Sequence, residues 1–439
     1  MKNIFTCTLF LFSLCLQAQT DSLDKQKIDA YFDSLEKENK FMGSVLLTQN
    51  GKPVFARQIG YADIASQSKS TINSRYRIGS ISKTFTATLL LMAVEEGKIK
   101  LDATINPYFP ELTNADSITI AQLLYHQSGI HDFTTNTDYL EWNTKPIGKN
   151  QLLDIIIKGG SDFQPGTNTV YSNSNYVLLT LLLEKIYGIS YPKLLESKIT
   201  NPARLKDTYF GKPSDIRDNE CFSYTFQGEW VREKETDMSV PLGAGSIVST
   251  PADIAKFAHQ LFQGRILTKT SLEIMKTAPG QFGMGLIKIP FYHRNGYGHT
   301  GGIDGFHSVF AYFPDMEICL VICSNATNFK INDISIALLC TAYNLPFDVP
   351  VFSKFKPTAD QLAKYAGIYQ GEEIPLKITI KQKENTLVAQ ATGQPAFGLE
   401  AFEKDKFRFE QAGIIIEFQA ESNSFLLKQG GGIFHFSKL

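Results

Sequence analysis

Hydrophobic and polar positions follow two periods along the chain, and each change of period marks an element. From Asp21 to Lys40, "DSLDKQKIDAYFDSLEKENK" puts Ile28, Tyr31, Phe32 and Leu35 on one stripe, the spacing of an amphipathic helix. The run "GSVLLTQNGKPVFARQIGYAD" then predicts a hairpin turning at Asn50-Gly51. Helix spacing recurs at 80–96, 118–127, 150–158, 173–187, 191–197, 251–262 and 270–277. Strand-like runs return at 283–289, 305–313 and 317–324, and a helix is predicted at 331–343. Strands at both ends with helices between predict a mixed sheet completed by both ends of this region, around a helical insertion.

The texture changes near Val349. "DVPVFSKFKPTAD" carries two prolines and few helix or strand signals. A short helix at 358–365 leads into the strand-like runs "LKITI", "TLVAQAT", "FGLEAF", "FRFEQ", "IIIEFQ", "SFLLKQ" and "IFHFSK". Turn residues separate most of them, which predicts an all-β meander or small barrel. The boundary is expected at 350–357, dividing the chain into regions 24–350 and 357–439.

The first residues stand apart. "MKNIFTCTLFLFSLCLQAQT" has Lys2, an apolar run from Ile4 to Leu16, and the small residue Ala18. This is the pattern of an export signal, residues 1–18, cleaved near Ala18. The run is too short to span a bilayer comfortably, and Leu14 disfavours lipid attachment at Cys15. A periplasmic or secreted location is therefore expected. Four cysteines lie beyond the signal: Cys221, Cys319, Cys323 and Cys340. Cys319 and Cys323, four apart along a strand, sit about 13 Å apart and cannot bridge each other. Buried free thiols are expected.

Charge narrows the chemistry. With 43 Lys and Arg against 44 Asp and Glu, nothing advertises nucleic acid or a polybasic membrane surface. No CxxC pair and no H-E-x-x-H spacing point to a metal, so neither a metal nor a cofactor is expected.

Three short motifs carry the candidate chemistry. "YRIGSISKTFTATLLLMAVEEG" places Ser80 and Lys83 three apart where an apolar helix begins. On a helix, i and i+3 share a face. A buried lysine can lose its charge and take the serine proton, and helix-start N–H groups can hold an oxyanion. Ser82 lies about 100° around that helix and is the weaker nucleophile candidate. In "FQPGTNTVYSNSNYVLL", Tyr171 and Asn173 follow a Pro-Gly turn. From a loop both can point into one cleft. The phenol can relay a proton, especially with its pKa lowered by a lysine, and the amide can grip a substrate carbonyl or the lysine. In "NGYGHTGGIDGFHSVFAYF", His299, Thr300, Gly301 and Gly302 precede a strand-like segment. Glycines admit a close ligand, and a strand edge can pair with a peptide-like substrate and donate to its oxyanion. Asp304 either touches substrate or serves as an acidic turn residue.

Together these motifs resemble the serine beta-lactamase and penicillin-binding protein superfamily, with its S-x-x-K, Tyr-x-Asn and Lys-or-His-Thr-Gly elements. Tyr171-Ser172-Asn173 is similar to the class C beta-lactamase, DD-peptidase and esterase branch, as are "LLYHQSGI", "FQPGT", "GAGSIVSTPADIAKF" and "FGMGL". The resemblance covers about residues 24–345, and the final region resembles the lipocalin-like extension of such hydrolases. It implies an α/β (α+β) fold of the beta-lactamase/transpeptidase type. That fold is a mixed antiparallel sheet flanked by helices, with a helical subdomain, here followed by a small all-β domain.

The resemblance also implies roles. Ser80 would be acylated and Lys83 would help deprotonate it. Tyr171 would act as second general acid/base, and Asn173 would hold Lys83 and the substrate. His299 and Thr300, with Gly301 beside them, would bind the substrate's anionic or polar end. The oxyanion would sit between the N–H of Ser80 and that of Gly302 or its neighbour. Dedicated beta-lactamases and classical DD-peptidases usually carry lysine where His299 stands, so a strong demand for a carboxylated substrate is put in doubt.

The expected substrate is a small peptide, ester or beta-lactam, with peptides bearing D-residues leading. A beta-lactamase or carboxylesterase is the first alternative, and a weakly catalytic penicillin-binding or sensor protein the second. "YHQSG" resembles a structural element of the family, with His126 buried and hydrogen-bonded to Ser128 rather than catalytic. The chain is expected to act as a monomer. Its β domain is expected either to contact a cell-wall partner or, more simply, to cover one side of the catalytic domain.

Overall fold

The computed structural model describes residues 24–352, 355–419, 423–429 and 432–439. The expected export signal, residues 1–18, lies outside the described residues. Helix Lys25–Lys37 opens the described chain, capped by Asp24, whose carboxylate accepts from Lys27 N at 3.0 Å. Its stripe of Ile28, Tyr31, Phe32 and Leu35 is buried, as the spacing predicts.

A six-stranded antiparallel sheet forms the frame. Its order is Ile287–Phe291, Arg294–Ile303, Phe306–Phe313, Ile318–Thr327, Phe41–Gln49 and Lys52–Ile59. The Asn50-Gly51 turn joins the last two, with φ of 51° and 71°, the conformation two-residue hairpins demand. Strand Phe41–Gln49 pairs with Ile318–Thr327, so the two ends of this region complete one sheet.

Each face of the sheet has its own core. Helices Lys25–Lys37 and Ile331–Ala342 cover the back, packing on Val45, Leu47, Leu320 and Ile322. The front carries helices Ser82–Glu95, Asn173–Tyr187 and Pro251–Phe262. Helix Ser82–Glu95 is buried on nearly every side, which explains its apolar run without an amphipathic period.

Several boundaries differ from the sequence pattern. The helix expected from residue 80 starts at Ser82, behind a 3-10 turn at Gly79–Ile81. The helix expected at 118–127 shortens to Ile120–Leu124, entered through a Thr119–Gln122 capping box. His299 to Gly302 do not merely precede a strand. They lie within strand Arg294–Ile303, whose glycines hid its alternation.

The C-terminal region is a closed barrel of eight antiparallel strands, with helix Ala359–Ala363 before it. Strand Gly367–Gly371, absent from the expected runs, closes it by pairing with Gly432–Lys438. Its interior is filled by rings, among them Phe407, Phe418, Phe425 and Phe436. An eight-stranded barrel is just wide enough to be filled by side chains in this way.

Cys221, Cys319, Cys323 and Cys340 are free and buried. Among the described residues no helix is long and apolar enough to cross a membrane.

Candidate active site

The turn bearing Ser80 is fastened on both sides, to the short strand Ile247–Ser249 and to the six-stranded sheet. Ile78 N donates to Ile247 O at 3.0 Å, and Ile78 O accepts from Ser308 Oγ at 2.7 Å. Gly301 packs so closely that a Cβ there would lie 2.0 Å from Ile78 O, so only glycine fits. Ser82 Oγ is buried and accepts from Ile247 N at 3.0 Å, a structural bond that removes it from the cleft.

Ser80 Oγ is the point on which the other groups converge. Lys83 Nζ lies 3.1 Å away, and Tyr171 OH donates to it at 2.8 Å. Lys83 is fully buried, and its ammonium also reaches Asn173 Oδ1 and Ala244 O, each at 2.8 Å. Burial pushes its pKa down to about 7, against the opposing pull of the Asp132 carboxylate. That is the behaviour expected of a lysine that must accept a proton.

Tyr171 leaves an extended loop just ahead of helix Asn173–Tyr187. Its ring stacks on His126 at 4.4 Å and leans on Phe282 at 5.5 Å. The expectation that lysine would lower the phenol's pKa is not met, because burial raises it and outweighs the bond with Ser80. Tyr171 therefore stays a proton donor at neutral pH.

Asn173 faces two ways. Its Oδ1 takes the lysine, while Nδ2 donates to Asp132 Oδ2 at 3.0 Å and Thr134 Oγ1 at 3.1 Å. An amide so tied has one orientation. Asp132 and Thr134 went unrecognised in the sequence, since nothing in a chain separation of about forty residues marks them as neighbours of Asn173. His126 is buried as expected, but its Nδ1 accepts from Ser172 N at 3.1 Å, whereas Ser128 Oγ donates to Asn175 Oδ1. The assumed His126–Ser128 bond is replaced by these two.

His299 points toward the same space, its ring 6.5 Å from that of Tyr171. Burial, aided by the Lys83 charge, pushes its pKa down to about 4, so the imidazole is neutral at pH 7. Thr300 and Gly302 line the cleft with Ser80, Tyr171, Phe282 and Lys288, around a space of about 410 Å³. Asp304 does not enter it. That carboxylate is buried against Arg77 at 3.2 Å and Thr236 Oγ1 at 2.7 Å.

The sequence motifs are thus brought to one cleft by four separate elements. The Beta-lactamase family model matches residues 28–338, well over half of the chain. The chain belongs to the beta-lactamase family. Penicillin-binding protein 4* of Bacillus subtilis (strain 168) is 25% identical over 93% of this chain and 97% of that protein. The teichoic acid D-alanine hydrolase of Staphylococcus aureus (strain NCTC 8325 / PS 47) is 28% identical over 62% of this chain and 65% of its own length. Among solved structures, the D-amino acid amidase from Ochrobactrum anthropi SV3, complexed with L-phenylalanine amide, superposes with a TM-score of 0.64. It is 27% identical, and the match covers 73% of this chain and 98% of that one. This family member is a serine hydrolase. Among its described residues no cluster of His, Cys, Asp and Glu is suited to a metal ion.

Proposed function

We propose that this beta-lactamase-family enzyme hydrolyses an amide or ester bond in a D-amino-acid-containing substrate through an acyl-enzyme on Ser80. The observation that carries the reading is the convergence of Lys83 Nζ and Tyr171 OH on Ser80 Oγ, with the lysine held near neutrality. Ser80 Oγ attacks the carbonyl carbon and gives its proton to Lys83 Nζ. The oxyanion forms between the N–H of Ser80 and that of Gly302 or its strand neighbour. The leaving amine or alcohol departs with the Tyr171 proton, and the lysine ammonium balances the phenolate. A water then loses its proton to that phenolate and attacks the acyl carbon. Ser80 leaves and recovers its proton from Lys83. Asn173 fixes the lysine and meets the substrate, while His299, Thr300 and Gly301 shape the edge along which it lies.

The D-amino-acid class rests on the hydrolase and amidase relatives. A neutral His299 supports uncharged amides and esters over beta-lactams that depend on a carboxylate. The N-terminal pattern of residues 1–18 supports action outside the cytoplasm.

The test is intact-mass analysis after a fluorophosphonate, with Ser80→Ala as control, followed by turnover of D-aminoacyl amides, D-Ala-D-Ala peptides, short esters and a chromogenic cephalosporin. One adduct in the parent only, and hydrolysis of D-aminoacyl amides or esters, are expected. Ser80→Ala should cost about 10³-fold or more in kcat. Cephalosporin turnover above that of every D-aminoacyl substrate would favour a beta-lactamase instead.

A further inference from the structure

The outer edge of strand Arg294–Ile303 is only half covered. Strand Ile287–Phe291 pairs with it from Phe291↔Arg294 to Ile287↔Gly298 and stops there. Beyond Gly298 that edge is no longer paired with strand Ile287–Phe291, and His299, Thr300 and Gly302 line the cleft beside Ser80. Across the sheet, Phe310, paired with His299, belongs to the front core, whereas Val309, paired with Thr300, belongs to the back. Side chains of an extended ligand on this edge must alternate the same way. One would face Tyr171 and Phe282 in front, and the next would fall behind the sheet.

A groove waits at that second position. It encloses about 620 Å³, in the range of small-molecule sites, and its walls are mostly apolar: Ile289, Val309, Ala311, Leu320, Ile331 and Leu339. Ile336, 41% exposed, stands on its rim. The groove adjoins the catalytic cleft across this strand edge, since Ile287, Lys288, Thr300 and Gly302 line both spaces. A group attached next to the scissile bond is therefore within reach of it.

We propose that this back-face groove is a substrate subsite that takes an apolar side chain or acyl chain attached next to the scissile bond. The assignment rests on the proposed serine-hydrolase reading for its substrate class, and it makes the enzyme selective for lipophilic members of that class. No group on the groove's walls is asked to react. Its contribution is the removal of apolar surface from water, which grows with chain length.

The test separates binding from chemistry. Full-length Ser80→Ala protein is titrated calorimetrically with N-acetyl-D-alanine amide, N-octanoyl-D-alanine amide and N-acetyl-D-alanine octylamide. At least one octyl ligand should bind about tenfold or more tightly than the parent amide. Ser335→Phe, added to this protein, should bring that ratio to within about threefold by filling the groove. Ser335 lies on the groove wall outside the catalytic machinery, and its hydroxyl only donates to Ile331 O within its own helix. Ser335→Ala should keep the full ratio and serves as the folding control, with circular dichroism on both. No gain for either octyl ligand, or a gain that survives in folded Ser335→Phe, overturns the subsite. If the gain is present but wild-type protein neither labels nor turns over any substrate, the catalytic reading fails and the subsite stands.

Discussion

Gly79 and Gly302 meet backbone to backbone. A Cβ on Gly79 would lie 2.8 Å from both the N and the O of Gly302, and Gly79 holds a φ of +51°. In an extended strand the N–H and C=O of one residue point to the same side. Both therefore face the Ser80 turn rather than the neighbouring strand, which is where an oxyanion donor must point. Gly79→Ala forces this contact apart and strains the turn as well. The expected result is a loss of about 10²-fold in kcat with little change in KM, the scale of one displaced oxyanion donor. Steady-state kinetics on a D-aminoacyl ester, with a melting curve to confirm folding, checks it. Unchanged kcat in a folded variant would move the oxyanion site elsewhere.

The pH dependence follows from Lys83. Its pKa is pushed down to about 7, and the proposed base is the deprotonated amine. Activity should therefore rise with pH, with one acid limb in kcat/KM near 7. His299, at about 4, and Tyr171, raised by burial, add no limb between pH 5 and 8. Asp132→Asn removes the charge that draws the lysine pKa upward, so the limb should move to lower pH. It also exchanges the acceptor of the Asn173 amide for a group that can turn, and kcat should fall. A pH profile of both proteins distinguishes the two effects, since mere loosening would lower the curve without shifting it.

Where the sequence was legible, one element carried its own signal. Helices Asn173–Tyr187 and Pro251–Phe262 match their apolar spacing at both ends, and the Asn50-Gly51 hairpin announces itself by turn chemistry. The catalytic motifs were visible because Ser80 and Lys83, and Tyr171 and Asn173, are close along the chain. What stayed hidden depends on contacts between distant segments. In strand Arg294–Ile303 glycines stand where a side chain would collide, as at Gly298, whose Cβ would sit 1.9 Å from Phe310 O. These glycines erase the alternation by which a strand is recognised. Strand Gly367–Gly371 begins and ends on glycine and is defined by barrel closure. Asp132 acts through Asn173, so no local pattern singles it out.

The barrel is tied to the catalytic region beside the proposed oxyanion strand. Lys40, 6% exposed at its side chain, pairs with Glu400 of the barrel at 2.6 Å, and Arg408 joins Glu400 to Glu410. Gln411 meets the imidazole of His307, and His307 sits opposite Gly302 in the sheet. Burial pushes that imidazole down to about 4, so the contact is between neutral groups and is unaffected by pH near neutrality. Two variants separate holding from positioning. Lys40→Met leaves Glu400 with Arg408 alone and should cost about 1–3 kcal/mol of stability, read by denaturant unfolding. Gln411→Ala removes only the contact behind the Gly302 strand and should lower stability by less than about 1 kcal/mol. Its kcat should nonetheless fall by roughly 3- to 10-fold at constant KM, because a small displacement of an oxyanion donor is felt in the transition state. If kcat is unchanged in Gln411→Ala, the barrel covers the catalytic region without tuning it.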